Sequence, residues 1–158
     1  MKQYIGTKIV QAAPAVRYLM KDGNNWVIEK DDHLALAQVN MEDVVAWEDA
    51  YVVVYKDGYS SWSPEAVFEE AYRPTDGMNF GLAIEAMKKG CKVARKGWNG
   101  KGIYLELQVP DEHSKMTLPY IYIVTNGLIT DNRHAPKGCV PWLASQTDML
   151  ADDWYVVE

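Results

Sequence analysis

The sequence predicts an α+β protein, and three observations carry that reading. Short runs of β-branched and aromatic residues recur along the chain, two segments hold helix-capping patterns, and glycine-bearing turns separate them. Strand-like runs fall at 4–10 and 51–55, and later at 92–95, 102–109 and 119–124.

Upstream, Lys56-Asp57-Gly58-Tyr59 is a turn. Ser63-Pro64-Glu65 then predicts a short helix with Ser63 as N-cap, Pro64 at the first helical position and an acid in the first turn. Val67, Phe68 and Ala71 would form its apolar face. Residues 15–45 carry a weaker signal, with a strand expected within Leu34–Val45. At Arg73-Pro74-Thr75-Asp76-Gly77 the pattern breaks, because Pro disfavours helix at the residue before it and Asp-Gly favours a turn. Two units follow: a β-rich α+β module over 1–75 and a second domain over 76–158.

In the second domain Asn79 caps a helix reaching Lys89, with Phe80, Ala83, Ile84 and Met87 at helical spacing and Gly90 as its stop. Strands at 92–95 and 102–109 are joined by a turn rich in glycine, at Gly97, Gly100 and Gly102. Residues 119–124 and 127–130 are expected to pair as a hairpin about Asn126-Gly127. Ser145 opens a second short helix, with Asp148 in capping-box position. Residues 154–157 close as a strand, giving a small antiparallel sheet with two short helices.

Composition narrows the function classes. The 158 residues carry a net charge of -6, unevenly divided: 1–75 hold seven Lys/Arg against twelve Asp/Glu, and 76–158 hold nine against ten. Tracking a nucleic-acid polymer needs a broad basic footprint, which this balance denies. No apolar run approaches the roughly 20 residues of a membrane-spanning helix, and the opening residues lack a signal-peptide core. Cys91 and Cys139 have no metal-type spacing and read as reduced thiols of a cytosolic protein. Six Trp and ten Tyr against two Phe suit half-exposed faces.

Two segments hold the candidate chemistry. From Lys88 to Lys101 lie six cations and no acid, with Arg95, Lys96 and Lys101 around a glycine-rich turn and Trp98 at its centre. Exposed backbone N–H groups with Arg and Lys suit phosphate oxygens, and an indole face suits a base. A plain solvated hairpin whose lysines aid solubility also accounts for the same residues. In Val140–Trp154, Ser145, Gln146 and Thr147 sit where a helix start offers N–H groups to an anion; capping and packing alone account for them too. His33, His113 and His134 stand in polar stretches without partners. No catalytic or metal-binding pattern occurs, so no catalytic residue, metal or cofactor is assigned.

Met78-Asn79-Phe80-Gly81, then Gly90-Cys91-Lys92-Val93-Ala94-Arg95-Lys96-Gly97-Trp98-Asn99-Gly100-Lys101-Gly102, then Val140-Pro141-Trp142-Leu143-Ala144-Ser145-Gln146-Thr147-Asp148 with Asp152-Asp153-Trp154, closely resemble the small phage-carried Thoeris anti-defence family, second type. The resemblance covers 78–157. It implies a non-enzymatic protein that sequesters intact a cyclic ADP-ribose isomer, and in some members cyclic dinucleotides, as a homotetramer with pockets between protomers, in the cytoplasm of the infected or lysogenic host. By that resemblance Trp98 and Trp142 flank the adenine, while Phe80, Gly81, Asn99, Ser145, Gln146, Thr147 and Asp148 line the pocket. Arg95, Lys96 and Lys101 are the candidates for the pyrophosphate. Two departures stand out. The stretch Thr125–Gly138 carries Arg133, His134 and Lys137 where family members run through a shorter polar segment, and the N-terminal module, absent from many members, resembles a small phage module without an assigned role. Alternative readings are a protein–protein inhibitor or virion-associated adaptor with the tryptophans as anchors, and a cyclic-nucleotide hydrolase.

Overall fold

In a computed structural model that describes residues 7–157, the first strand, β1, is Gln11–Met20. Of the strand expected at 4–10, residues 7–10 are irregular, and 4–6 lie outside the described residues. Pro14 is a breaker signal inside the true strand. It is tolerated because β2 (Asn25–Glu29) begins pairing only at Ala15, and the Pro14 carbonyl accepts from Lys30 N at 2.8 Å. No helix among the described residues is long and apolar enough to cross a membrane.

The strand expected within Leu34–Val45 is also corrected. Asp32 caps a one-turn helix α1 (His33–Leu36), its carboxylate accepting from Ala35 N, and Asn40 caps a 3-10 turn at Met41–Asp43. These short polar side chains take backbone N–H groups that a strand would need for its ladder. β3 (Val44–Val54) then runs between β1 and β4 (Ser60–Pro64), giving an antiparallel sheet in the order β2-β1-β3-β4. α2 (Glu65–Ala71) starts one residue later than expected. Pro64 occupies the cap without a side-chain bond, while Ser63 stays in β4 opposite Tyr51. Phe68 stacks on Tyr51 at 4.2 Å and on Tyr72 at 4.7 Å. The buried apolar residues of this unit are few and mostly small: Ala15, Met20, Ile28, Ala50 and Val53.

The chain divides into compact units Met1–Tyr72 and Arg73–Glu158, with the Pro-Thr-Asp-Gly segment at the start of the second. There, α3 (Phe80–Lys88) begins where the Asn79 side chain accepts from Leu82 N at 2.9 Å, and it gives way at Gly90, whose φ is 85°. A five-stranded antiparallel sheet has the order β8-β7-β6-β5-β9, with β5 Lys92–Arg95, β6 Tyr104–Gln108, β7 Tyr120–Val124, β8 Cys139–Pro141 and β9 Trp154–Val157. α4 (Gln146–Met149) lies between the last two strands. Met78, Ala83, Ala86, Met87, Val93, Leu105 and Trp154 form the core between α3 and the sheet.

The hairpin expected between 119–124 and 127–130 does not form. Asn126-Gly127 does turn the chain, with Leu128 N donating to Thr125 O, but the chain then crosses to the β5–β6 turn, where Ile129 N donates to Lys101 O at 2.9 Å. The partner of β7 is β8, with Tyr122 opposite Pro141. Close backbone approach explains the detour. A Cβ on Gly102 would lie 2.1 Å from the Gly127 carbonyl oxygen, and one on Gly127 would lie 2.6 Å from that of Gly102. Only two glycines let these segments meet. Thr125 closes the loop, its N–H donating to Gly138 O and its Oγ1 accepting from Gly138 N.

Candidate functional site

The site grows from the register of β5 and β9. Pairing Arg95 with Trp154 places the guanidinium beside Asp153, and α4 brings Asp148 to its other side. Arg95 Nε donates to Asp153 Oδ1 and Nη1 to Asp148 Oδ1, each at 2.8 Å. With its side chain 14% exposed, Arg95 is a bridge between two carboxylates. Asp153 also accepts from Gly97 N at 2.7 Å, which fixes the start of the glycine-rich turn. A Cβ on Gly97 would come 2.7 Å from that same carboxylate.

Asp148 is the hub. Its Oδ1 accepts from Arg95 and from Trp98 Nε1 (3.0 Å), and its Oδ2 accepts from Ser145 Oγ (2.6 Å) and Ser145 N (3.1 Å). Ser145 Oγ in turn accepts from Asp148 N, completing the expected capping box. Burial by itself raises this carboxyl's pKa. The hydrogen bonds from Ser145, Trp98 and Arg95 outweigh it and hold the group at about 2. Asp153 is held below its ordinary value chiefly by Arg95, and Arg95 is held above its own chiefly by Asp153.

Four aromatic rings stand on this frame. Trp154 is fully buried, its Nε1 donating to Asp148 O, and three half-buried rings pack onto it: Phe80 at 5.3 Å, Trp98 at 5.4 Å and Trp142 at 6.1 Å between centroids. Trp98 and Trp142 themselves meet at 6.2 Å and 60°. Within one chain they touch edge to face; no parallel slot lies between them. Each is only half-buried, so part of each ring stays accessible.

The sequence-derived candidates therefore separate into two groups. Arg95 and Asp148 are bound up in the frame, with Ser145 as cap. Lys96, Asn99, Lys101, Gly81, Gln146 and Thr147 are exposed. Lys101 Nζ donates to Lys96 O at 2.7 Å, and Lys96 Nζ lies 3.5 Å from Asp76. Trp154 and Asp153 were missed as site residues. Their signal was present in the Asp152-Asp153-Trp154 run, which was read as part of the family motif but given no role in the pocket. The loop from Thr125 to Gly138 lies against the cation-bearing turn through Lys101 and Ile129. An open groove of about 270 Å³ lies elsewhere, lined by Gln108, Tyr120, Tyr122, Cys139, Val140 and Pro141, and holds none of the candidates. His33, His113 and His134 are exposed, and no cluster of metal-ligating side chains occurs among the described residues.

Residues 78–157 match the sequence model of the Thoeris anti-defense 2-like domain. The chain is also similar to Thoeris anti-defense 2 of Bacillus phage SP01, 38% identical over 84 residues that span 51% of this chain and 94% of that protein. The matched region begins at Met78, beside the Asn79 cap, and ends in β9, so it encloses the whole frame of Arg95, Asp148, Asp153 and the four rings. Through residues 78–157, the chain belongs to the Thoeris anti-defense 2-like family.

Proposed function

We propose that this protein binds and sequesters, uncleaved, a cyclic nucleotide immune messenger of the glycocyclic ADP-ribose type, with cyclic dinucleotides as a second ligand class. The observation that carries the reading is the rigid seating of two half-buried indoles beside exposed Lys96 and Lys101. Base stacking on an indole contributes about 1–3 kcal/mol, and ammonium groups nearby add charge-assisted contacts to a pyrophosphate. Because Arg95 is committed to Asp148 and Asp153, the phosphate role passes to Lys96 and Lys101. Asn99, Gly81, Gln146 and Thr147 supply the polar edge.

The base stacks on the accessible faces of Trp98 and Trp142, so a second copy of the chain is needed to close the pocket. Leu143 and Leu150 flank α4 and are 91% and 79% exposed, which supports assembly as a homotetramer around this region. The protein acts in the cytoplasm of the infected or lysogenic host, where such messengers are made.

Isothermal titration with glycocyclic ADP-ribose is expected to give saturable binding near nanomolar Kd, about 12 kcal/mol, with intact ligand recovered on heating. Trp98→Ala or Trp142→Ala should weaken it by at least roughly tenfold. Recovery of a cleaved product would move the protein to the hydrolases. Unchanged anti-defence activity in both tryptophan variants would favour a protein target instead.

A further inference from the structure

The N-terminal unit carries a feature that its own packing does not require. Tyr18 of β1 is directly opposite Trp26 of β2 on one side and Trp47 of β3 on the other. Directly paired residues share a sheet face, so three rings form a row across three adjacent strands, spanning about 10 Å. Trp26 is 42% and Trp47 62% exposed, with Tyr18 half-buried between them. α2 covers this same face only farther along, over Tyr51.

We propose that the Trp26–Tyr18–Trp47 row is a docking platform for a cationic, arginine-rich peptide segment of a partner protein. The charge of the unit selects the occupant. Residues 7–72 hold twelve Asp/Glu and five Lys/Arg. Asp49 lies on the same face two residues beyond Trp47, and Asp22, Glu42 and Asp43 lie in the turns next to the row's outer end. Lys21 lies 3.9 Å from Asp43 and Lys30 2.7 Å from Asp49, which offsets those two acids and leaves Asp22 and Glu42 to carry the negative charge beside the row. A nucleic acid is repelled by this surface, and so is a second copy of the same unit. A neutral glycan can hydrogen-bond these acids through its hydroxyls but gains no charge attraction from them, whereas a guanidinium gains both.

The opposite face of the same sheet shows the chemistry at work within the chain. There the Arg17 guanidinium sits 4.4 Å from the centroid of Trp62 and 2.5 Å from Glu48. A planar guanidinium over an indole, flanked by a carboxylate, is the arrangement that the exposed row offers to an incoming arginine.

The test uses the full chain and a rhodamine-labelled peptide of about twelve residues alternating Arg and Gly, followed by fluorescence anisotropy. A Lys-Gly peptide, a Glu-Gly peptide and cellohexaose serve as comparisons. The expected result is salt-sensitive binding of the Arg-Gly peptide, weaker binding of Lys-Gly and none of Glu-Gly or cellohexaose. Trp26→Gln with Trp47→Gln should weaken it about tenfold, and Phe at both positions should restore part of the loss. Glu42→Lys leaves the rings in place and should weaken binding through charge alone. It keeps the test decisive if the tryptophan variants lose their circular-dichroism signature. Failure to bind the Arg-Gly peptide, binding indifferent to both rings and to Glu42, preferential binding of cellohexaose, or self-association lost on ring removal would each overturn the proposal. Because the row lies outside residues 78–157, messenger binding by the same variants reports separately on the proposed function.

Discussion

Replacing Asp148 by Asn removes one negative charge and almost no volume, yet the network around it makes the change costly. The folded carboxyl sits at about 2 against an ordinary 3.8, a difference just under two units. At about 1.4 kcal/mol per unit, ionisation of Asp148 contributes about 2 kcal/mol to folding at neutral pH. The Asn amide also cannot replace Oδ2, because its NH₂ would face the N–H and O–H of Ser145, two donors. Losing that half of the capping box brings the expected cost to about 2–4 kcal/mol. Hydrogen exchange of the Trp154 indole N–H, which is bonded to Asp148 O, reads the stability of this unit without interference from the other. The sign of the pH dependence follows from the lowered pKa. The stabilisation is fully present above about pH 4 and is lost as the pH falls toward about 2. Wild type and Asp148→Asn should therefore converge on acidification. Equal stability at pH 7 within about 0.5 kcal/mol, or a gap that persists undiminished to about pH 2, would refute the assignment of Asp148 as an ionised hub.

Arg95→Lys keeps the charge but offers one ammonium nitrogen in place of the two spaced guanidinium nitrogens that reach Asp148 and Asp153; a loss of about 2 kcal/mol is expected in urea unfolding. Gly102→Ala combines a φ of 76° with a Cβ 2.1 Å from the Gly127 carbonyl, so it should cost about 2–4 kcal/mol and expose the 126–137 loop to limited proteolysis. Gly90→Ala, with a similar φ but open space around it, should cost only about 1 kcal/mol in thermal denaturation. Tyr122 donates to Glu106, which together with burial pushes its phenol up to about 12. Tyr51 and Tyr72 are also raised, so ultraviolet titration should show several late tyrosines, and the step near pH 12 should vanish in Tyr122→Phe.

How much of this protein could be read before folding it differs from element to element. The helices of the second unit were legible because their signals are local. Asn79 and Ser145 each satisfy orphan N–H groups within one turn, and Asp148 completes its box only three residues away. The strands at 92–95, 119–124 and 154–157 were legible by composition. The first unit was harder, because Pro14 interrupts the pattern of β1 and two short caps occupy the segment where a strand was expected.

The sequence by itself determined the α+β class, the capped helix starts, the concentration of cations between Lys88 and Lys101 and, through long unambiguous motifs, the family. Tertiary structure alone decided which of those charges are available. Arg95 looks identical to Lys96 as a phosphate ligand in one dimension, but it faces two carboxylates 53 and 58 residues away that only the β5–β9 register and α4 deliver. The same holds for the partner of β7, where a backbone contact between Gly102 and Gly127 diverts the chain from the nearest strand to a later one. Local propensity specifies what a segment can be. Contacts between residues distant in sequence decide what its charges and edges are left free to do.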